Sequence, residues 1–147
     1  MPRERSLRER ALGFLARREH TRAELRRKLA PHAVSPAELD ALLDELVRRK
    51  LLSEERFAEA RAHVLARKFG AARIERDLRA RGVSAEQAAS AAGEARATEF
   101  ERAREVLRRK FGAPATNLKE RARQGRFLLS RGFSTDVINR ILRHEDD

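Results

Sequence analysis

The residues able to do chemistry in this 147-residue chain are four histidines, adjacent carboxylates such as Glu54-Glu55 and Asp146-Asp147, serines that follow glycine, and 29 arginines. Histidines hold a metal when two stand at i and i+4 on a helix or beside cysteines. His20, His32, His63 and His144 do neither, and the chain has no cysteine, so they read as surface residues. Without cysteine there is no disulfide, thiolate zinc site or thiol nucleophile, which fits a cytoplasmic address. Arg81-Gly82-Val83-Ser84 and Arg131-Gly132-Phe133-Ser134 lead toward a serine, yet no glycine follows at the spacing of a nucleophile elbow. A helix-ending glycine followed by a helix-capping serine accounts for both. Glu54-Glu55 and Asp146-Asp147 would divide acid and base work only inside an apolar pocket, and they fall at a helix start and at a terminus. Seven dispersed glycines make no phosphate-binding turn. The expectation is a protein with no catalytic residues, no cofactor and no metal.

What remains is cationic. Lys and Arg total 34 against 23 Asp and Glu, a formal charge of +11, and such a surplus attracts polyanions because it neutralises phosphates and releases counterions. An Arg- and Ala-rich bias also arises from GC-rich coding with no functional meaning, so composition alone does not choose a partner. The hydrophobic fraction of 41% is enough for a core, and no stretch approaches the roughly 20 apolar residues of a membrane span. There are seven Phe, no Trp and no Tyr. Phe14, Phe57, Phe100, Phe127 and Phe133 fall on apolar helix stripes, which points to packing rather than base stacking.

The elements that position the arginines are helices. A helix start leaves N–H groups unpaired, and Ser, Thr, Asp or Asn followed three residues later by Glu or Gln satisfies two of them. Ser6…Glu9, Thr21…Glu24, Ser35-Pro36…Glu38, Ser84…Gln87, Thr98…Glu101 and Asn117…Glu120 fit that spacing. Ser53-Glu54-Glu55 and Ser134-Thr135-Asp136 set acids against the positive end of the dipole. With apolar residues recurring three and four apart behind each start, helices are expected at about 6–18, 21–30, 35–50, 53–68, 71–81, 84–96, 98–111, 118–131 and 134–144, with no strand.

These nine helices are three copies of three. Val34-Ser35, Val83-Ser84 and Phe133-Ser134 recur at spacings of 49 and 50, Leu29, Leu78 and Leu128 each precede the serine by six, and Arg67-Lys68-Phe69-Gly70 returns as Arg109-Lys110-Phe111-Gly112. The expected organisation is an N-terminal extension at 1–5 and three-helix repeats at 6–52, 53–97 and 98–147, with an inserted loop at Gly112-Ala113-Pro114-Ala115. A unit of that size buries little alone, so the units should stack into an elongated, curved, right-handed or solenoid-like all-α array. Counting back eight from each serine gives Arg27, Arg76 and Arg126; counting back three gives His32, Arg81 and Arg131. On the second helix of the middle repeat, Arg73, Arg76 and Arg79 lie opposite Ile74 and Leu78. Arg27, Arg73, Arg76, Arg79, Arg81, Arg126 and Arg131 are therefore the candidate partner-binding residues. The competing reading of this stripe is a solvated face laced with i,i+4 ion pairs.

The run Leu12-Gly13-Phe14-Leu15-Ala16-Arg17-Arg18-Glu19-His20-Thr21-Arg22-Ala23-Glu24-Leu25, the middle Arg56-Phe57-Ala58 and Gly70-Ala71-Ala72-Arg73-Ile74, and the end Arg126-Phe127-Leu128 with Arg131-Gly132-Phe133-Ser134 together resemble the RecX family of recombinase regulators. Departures fall at His20, Leu51, Ser53-Glu54 and Asp77. The resemblance implies a monomer that lodges in the groove of a RecA-type recombinase filament on single-stranded DNA and inhibits its ATPase, strand-exchange and co-protease activities, with possible DNA contact through the basic face. The alternative is a helix-turn-helix-like DNA- or RNA-binding protein. Against it, the third helices open on Ser35-Pro36-Ala37, Ser84-Ala85-Glu86 and Ser134-Thr135-Asp136, which are poor base readers, and the Glu145-Asp146-Asp147 tail repels phosphate.

Overall fold

Helix starts set the architecture. In the computed structural model, which describes residues 4–143, the side-chain oxygens of Ser6, Thr21, Ser35, Ser53, Ser84, Asn117 and Ser134 each accept a hydrogen bond from the backbone N–H three residues on, at 2.9–3.2 Å. The helices that follow are α1 (Leu7–Arg17), α2 (Arg22–Leu29), α3 (Pro36–Arg48), α4 (Glu54–Leu65), α5 (Ala71–Ala80), α6 (Ala85–Arg96), α7 (Glu99–Phe111), α8 (Leu118–Ser130) and α9 (Thr135–Leu142). No strand occurs among the described residues, and no helix is long and apolar enough to cross a membrane. The readings of His144, of Asp146-Asp147 and of residues 1–3 lie outside the described residues.

One expected cap fails. Only two residues separate α6 from α7, so Thr98 keeps a near-helical backbone (φ −113°, ψ 11°) and makes no capping bond. Its hydroxyl instead accepts from Arg102 Nε at 3.0 Å.

Every substantial helix–helix contact falls within a triple: α1–α3, α4–α6 or α7–α9. Each triple has its own core. The first is leucine-built around Leu25, Leu29, Leu43 and Leu46. The second closes Phe57, Ile74 and Leu78 on the alanines Ala88, Ala91, Ala92 and Ala95 of α6, whose small side chains let that helix approach closely. The third packs Val106, Leu107, Leu128, Phe133 and Ile138. Leu29, Leu78 and Leu128 are all fully buried, as their shared register requires.

The turn after the second helix differs between units. Gly82 and Gly132 take φ of +95° and +88°, and the N–H groups of Val83 and Phe133 close back on the carbonyls of Leu78 and Leu128. Positive φ is open to glycine without steric cost, and the turn folds Val83 and Phe133 inward to 3% and 2% exposure. The first unit has Ala33 there. A 3₁₀ turn over Ala30–His32 replaces the glycine turn, and Val34 stands 92% exposed.

The two junctions between units are also built differently. At the second, the Gly70 N–H donates to the Arg131 carbonyl at 2.8 Å, and a Cβ on Gly70 would lie 2.3 Å from the Gly132 carbonyl oxygen. The buried Glu99 carboxylate of α7 accepts the Ala71 N–H at 3.0 Å, capping α5 from the next unit. Arg102 donates to the carbonyls of Ala66, Phe69 and Ala95 at 2.6–2.8 Å, answering three backbone acceptors at helix ends. Burial lowers its pKa and the Glu99 charge opposes the shift. The first junction has an ion pair, Arg56 to Glu19 at 2.9 Å, and a close approach of Gly82 to the Ala23 side chain. Among the described residues no backbone hydrogen bond joins the helices of the first unit to those of the second.

His20 corrects the surface reading of the histidines. It is 1% exposed, with Nδ1 3.0 Å from the Arg18 carbonyl and Nε2 2.9 Å from Lys28 Nζ. It caps the end of the α1 core beside Phe14, ring centroids 6.0 Å apart. Four residues separate α1 from α2, and this tight connection carries the ring inward. His32 and His63 are exposed as expected.

Candidate functional site: the basic face of the second helices

The second helix of each unit, α2, α5 and α8, buries one residue pair four apart: Leu25 and Leu29, Ile74 and Leu78, Gln124 and Leu128. A residue midway between the two is rotated about 200° from each. Arg27, Arg76 and Arg126 occupy that position, and all three are exposed. Among the described residues none of them, nor Arg79, has a hydrogen-bond or ion-pair partner. Four guanidinium groups are therefore available, with at least one on every unit.

The other three candidates are engaged within the fold. Arg73 donates to the Ser130 carbonyl at 3.2 Å and lies 4.1 Å over the Phe69 ring. Arg131 sits 5.4 Å from Phe69 and 5.0 Å from Phe127. Both brace the second junction, Arg73 through its bond to the Ser130 carbonyl and Arg131 through its cation–π contact with Phe69. Arg81 donates to Asp77 at 3.1 Å, as an i,i+4 pair, and Arg61 reaches the same carboxylate at 3.0 Å. Burial pushes the Asp77 pKa up, but the hydrogen bonds and charges of Arg61 and Arg81 outweigh it and leave the group below its ordinary value. The i,i+4 pairing expected of a solvated face thus describes Arg81.

Three of the four available arginines border the junctions. Arg27 and Arg81 share a cavity of about 240 Å³ with Phe57 between the first and second units. Arg76 and Arg79 line a groove of about 700 Å³ between α5 and the turn after α8. The groove also exposes Leu129, which sequence reasoning missed. Leu129 precedes its capping serine by five, the register of Ala30 and Arg79, so an apolar residue at an otherwise solvent-facing position was the signal. Glu99 and Arg102 were missed as well, because their partners lie in the preceding unit.

Comparison with known proteins follows the same three divisions. The chain matches the first three-helix domain of RecX over residues 8–46, the second over 53–91 and the third over 97–142. It is 53% identical over 145 residues to the regulatory protein RecX of Leptothrix cholodnii, covering 97% of this chain and 92% of that one. With the regulatory protein RecX of Ralstonia nicotianae it shares 46% identity over 141 residues, 96% and 89% of the two chains. The crystal structure of RecX from Lactobacillus salivarius superposes with a TM-score of 0.76 at 20% identity over 94% and 93% of the chains, a likeness of fold.

Proposed function

The chain belongs to the RecX family of regulatory proteins, and from that premise we propose that it binds along the groove of a RecA-type recombinase filament on single-stranded DNA and inhibits the filament's ATPase, strand-exchange and co-protease activities. It acts by occupancy, as a cytoplasmic monomer with no catalysis of its own. Lying in the groove, it bridges successive protomers and obstructs both incoming duplex and the cleavable repressor. One observation carries this reading: three units in sequence each present an unpaired arginine, Arg27, Arg76 and Arg126, at the same helical register. A periodic set of cations on a linear array suits a partner that is itself periodic and anionic. Single-stranded DNA within the filament is an additional partner for the same face.

The test is simultaneous reversal of Arg27, Arg76 and Arg126 to Glu. Exposed positions tolerate substitution within about 0.5 kcal/mol each, whereas charged interface contacts cost about 2 kcal/mol or more when broken. The triple variant should keep its thermal midpoint while losing filament binding and inhibition of ATP hydrolysis. Reversal of Arg17, Arg48 and Arg67, which are exposed outside the second helices, changes net charge equally and should leave most of the affinity. Equal loss in both variants would reduce the effect to bulk attraction.

A further inference from the structure

The groove beside α5 combines two chemistries. On one wall Arg76 and Arg79 stand one helical turn apart without partners, while the Glu75 carboxylate in the same lining is turned to Arg96 at 3.6 Å. The opposite wall is apolar, made of Leu129, 56% exposed, and the edge of Phe133, and the apolar lining continues onto α5 at Ala72 beside the arginines. The walls come from different units but are locked together by the Gly70–Gly132 contact and the Glu99 cap, so the groove is formed before anything enters it. Preformed sites forfeit little ordering entropy on binding.

A phosphate backbone would use the guanidinium groups and leave Leu129 uncovered. Base stacking is closed off as well, because Phe133 is 2% exposed and the chain has no Trp or Tyr. A protein segment satisfies both walls. We propose that this groove takes an apolar side chain flanked by carboxylates, presented by a protein, with Leu129 receiving the apolar group and Arg76 and Arg79 the acids. The proposal rests on the filament reading and sharpens it: at this groove the chain grips the recombinase protein, not the DNA.

Leu129→Ser and the pair Arg76→Gln with Arg79→Gln are compared with wild type for binding to recombinase filaments and to a bare oligo(dT) strand. In parallel, the peptide acetyl-Glu-Glu-Leu-Glu-Glu-amide and its Leu-to-Ser version are titrated against the full chain by NMR. Leu129→Ser should weaken filament binding about tenfold, the loss of one partly exposed leucine contact, with an unchanged thermal midpoint and unchanged oligo(dT) binding. The arginine pair should weaken filament binding at least as much. The leucine peptide should shift the amide signals of Ala72, Arg76, Arg79 and Gly132 more than the serine peptide does.

Filament binding untouched by Leu129→Ser but reduced by the arginine pair would mean that the guanidinium groups hold phosphate, overturning the proposal and leaving the filament reading intact. Loss with Leu129→Ser alone would remove the carboxylates and overturn it too. If wild type fails to bind filaments, the filament reading falls and the peptides decide: shifts at the groove uphold its chemistry for another protein, and their absence ends it.

Discussion

Gln124 stands where the other units place Leu25 and Ile74, is 4% exposed, and leaves its Oε1 without a partner while Nε2 donates to the Ala113 carbonyl at 3.3 Å. A buried acceptor that gives up water and gains nothing in return costs on the order of 1 kcal/mol or more. Gln124→Leu should therefore raise stability by about 1 kcal/mol in chemical denaturation, despite the lost Ala113 bond, because it restores the apolar register. A second residue-scale prediction concerns acid. Burial disfavours the His20 imidazolium and lowers its pKa from the usual 6.5, so the unfolded chain takes up the proton first. Stability should fall as pH drops below about 6.5 and level once the folded-state value is passed. Glu24, hydrogen-bonded by Arg18, is held down at about 2; its contribution is present above about 4.5 and is lost as pH falls from there toward 2. Denaturation of His20→Phe across pH should flatten the upper arm and keep the lower one, to which Asp77 also contributes. At this scale the sequence spoke through periodicity. Leu29, Leu78 and Leu128 were legible as core, whereas the burial of His20 depends on a ring position that no spacing encodes.

Among the elements, the helix starts were the most legible, because a cap is local: an oxygen and an N–H three residues on. Thr98 shows the limit, since its neighbour helix ends too near for the backbone to extend. The junctions were illegible for the opposite reason. Nothing near Gly70 in the chain announces Gly132, and nothing near Ala71 announces Glu99. The prediction at this scale contrasts two glycines. A methyl group added to Gly13, inside α1, would meet no atom within 4 Å, whereas one added to Gly70 would be driven into backbone. Gly13→Ala should stabilise by about 0.5–1 kcal/mol, the helix-propensity gain. Gly70→Ala should destabilise by about 2 kcal/mol or more and uncouple the second and third units, visible as a split transition. As for the candidate site, register picked out the arginines and the i,i+4 pairing that engages Arg81 with Asp77, but it could not separate the unpaired Arg27, Arg76, Arg79 and Arg126 from Arg73 and Arg131, whose partners across the junction are set by tertiary packing.

The whole molecule presents 9744 Å² of surface, about a quarter more than the roughly 7,650 Å² that size scaling gives a compact protein of this mass. Three cores joined end to end expose more than one core would. Solution scattering should accordingly give a radius of gyration above the roughly 15 Å of a compact chain of this length; a value at or below it would contradict a linear array. The unequal junctions carry a consequence for time rather than shape. With α4–α9 joined by a backbone hydrogen bond and the buried Glu99 cap, and α1–α3 attached through the Arg56 side chain, which bonds Glu19 and the Lys50 carbonyl, a ligand long enough to span the array is held by two grips that let go one after the other. While one grip is open the other keeps it near, so rebinding is fast and the complex is long-lived. The same half-open interval gives a rival molecule a foothold. Departure of this protein from such a ligand should then quicken as the rival's concentration rises, a dependence that a single rigid clamp would not show.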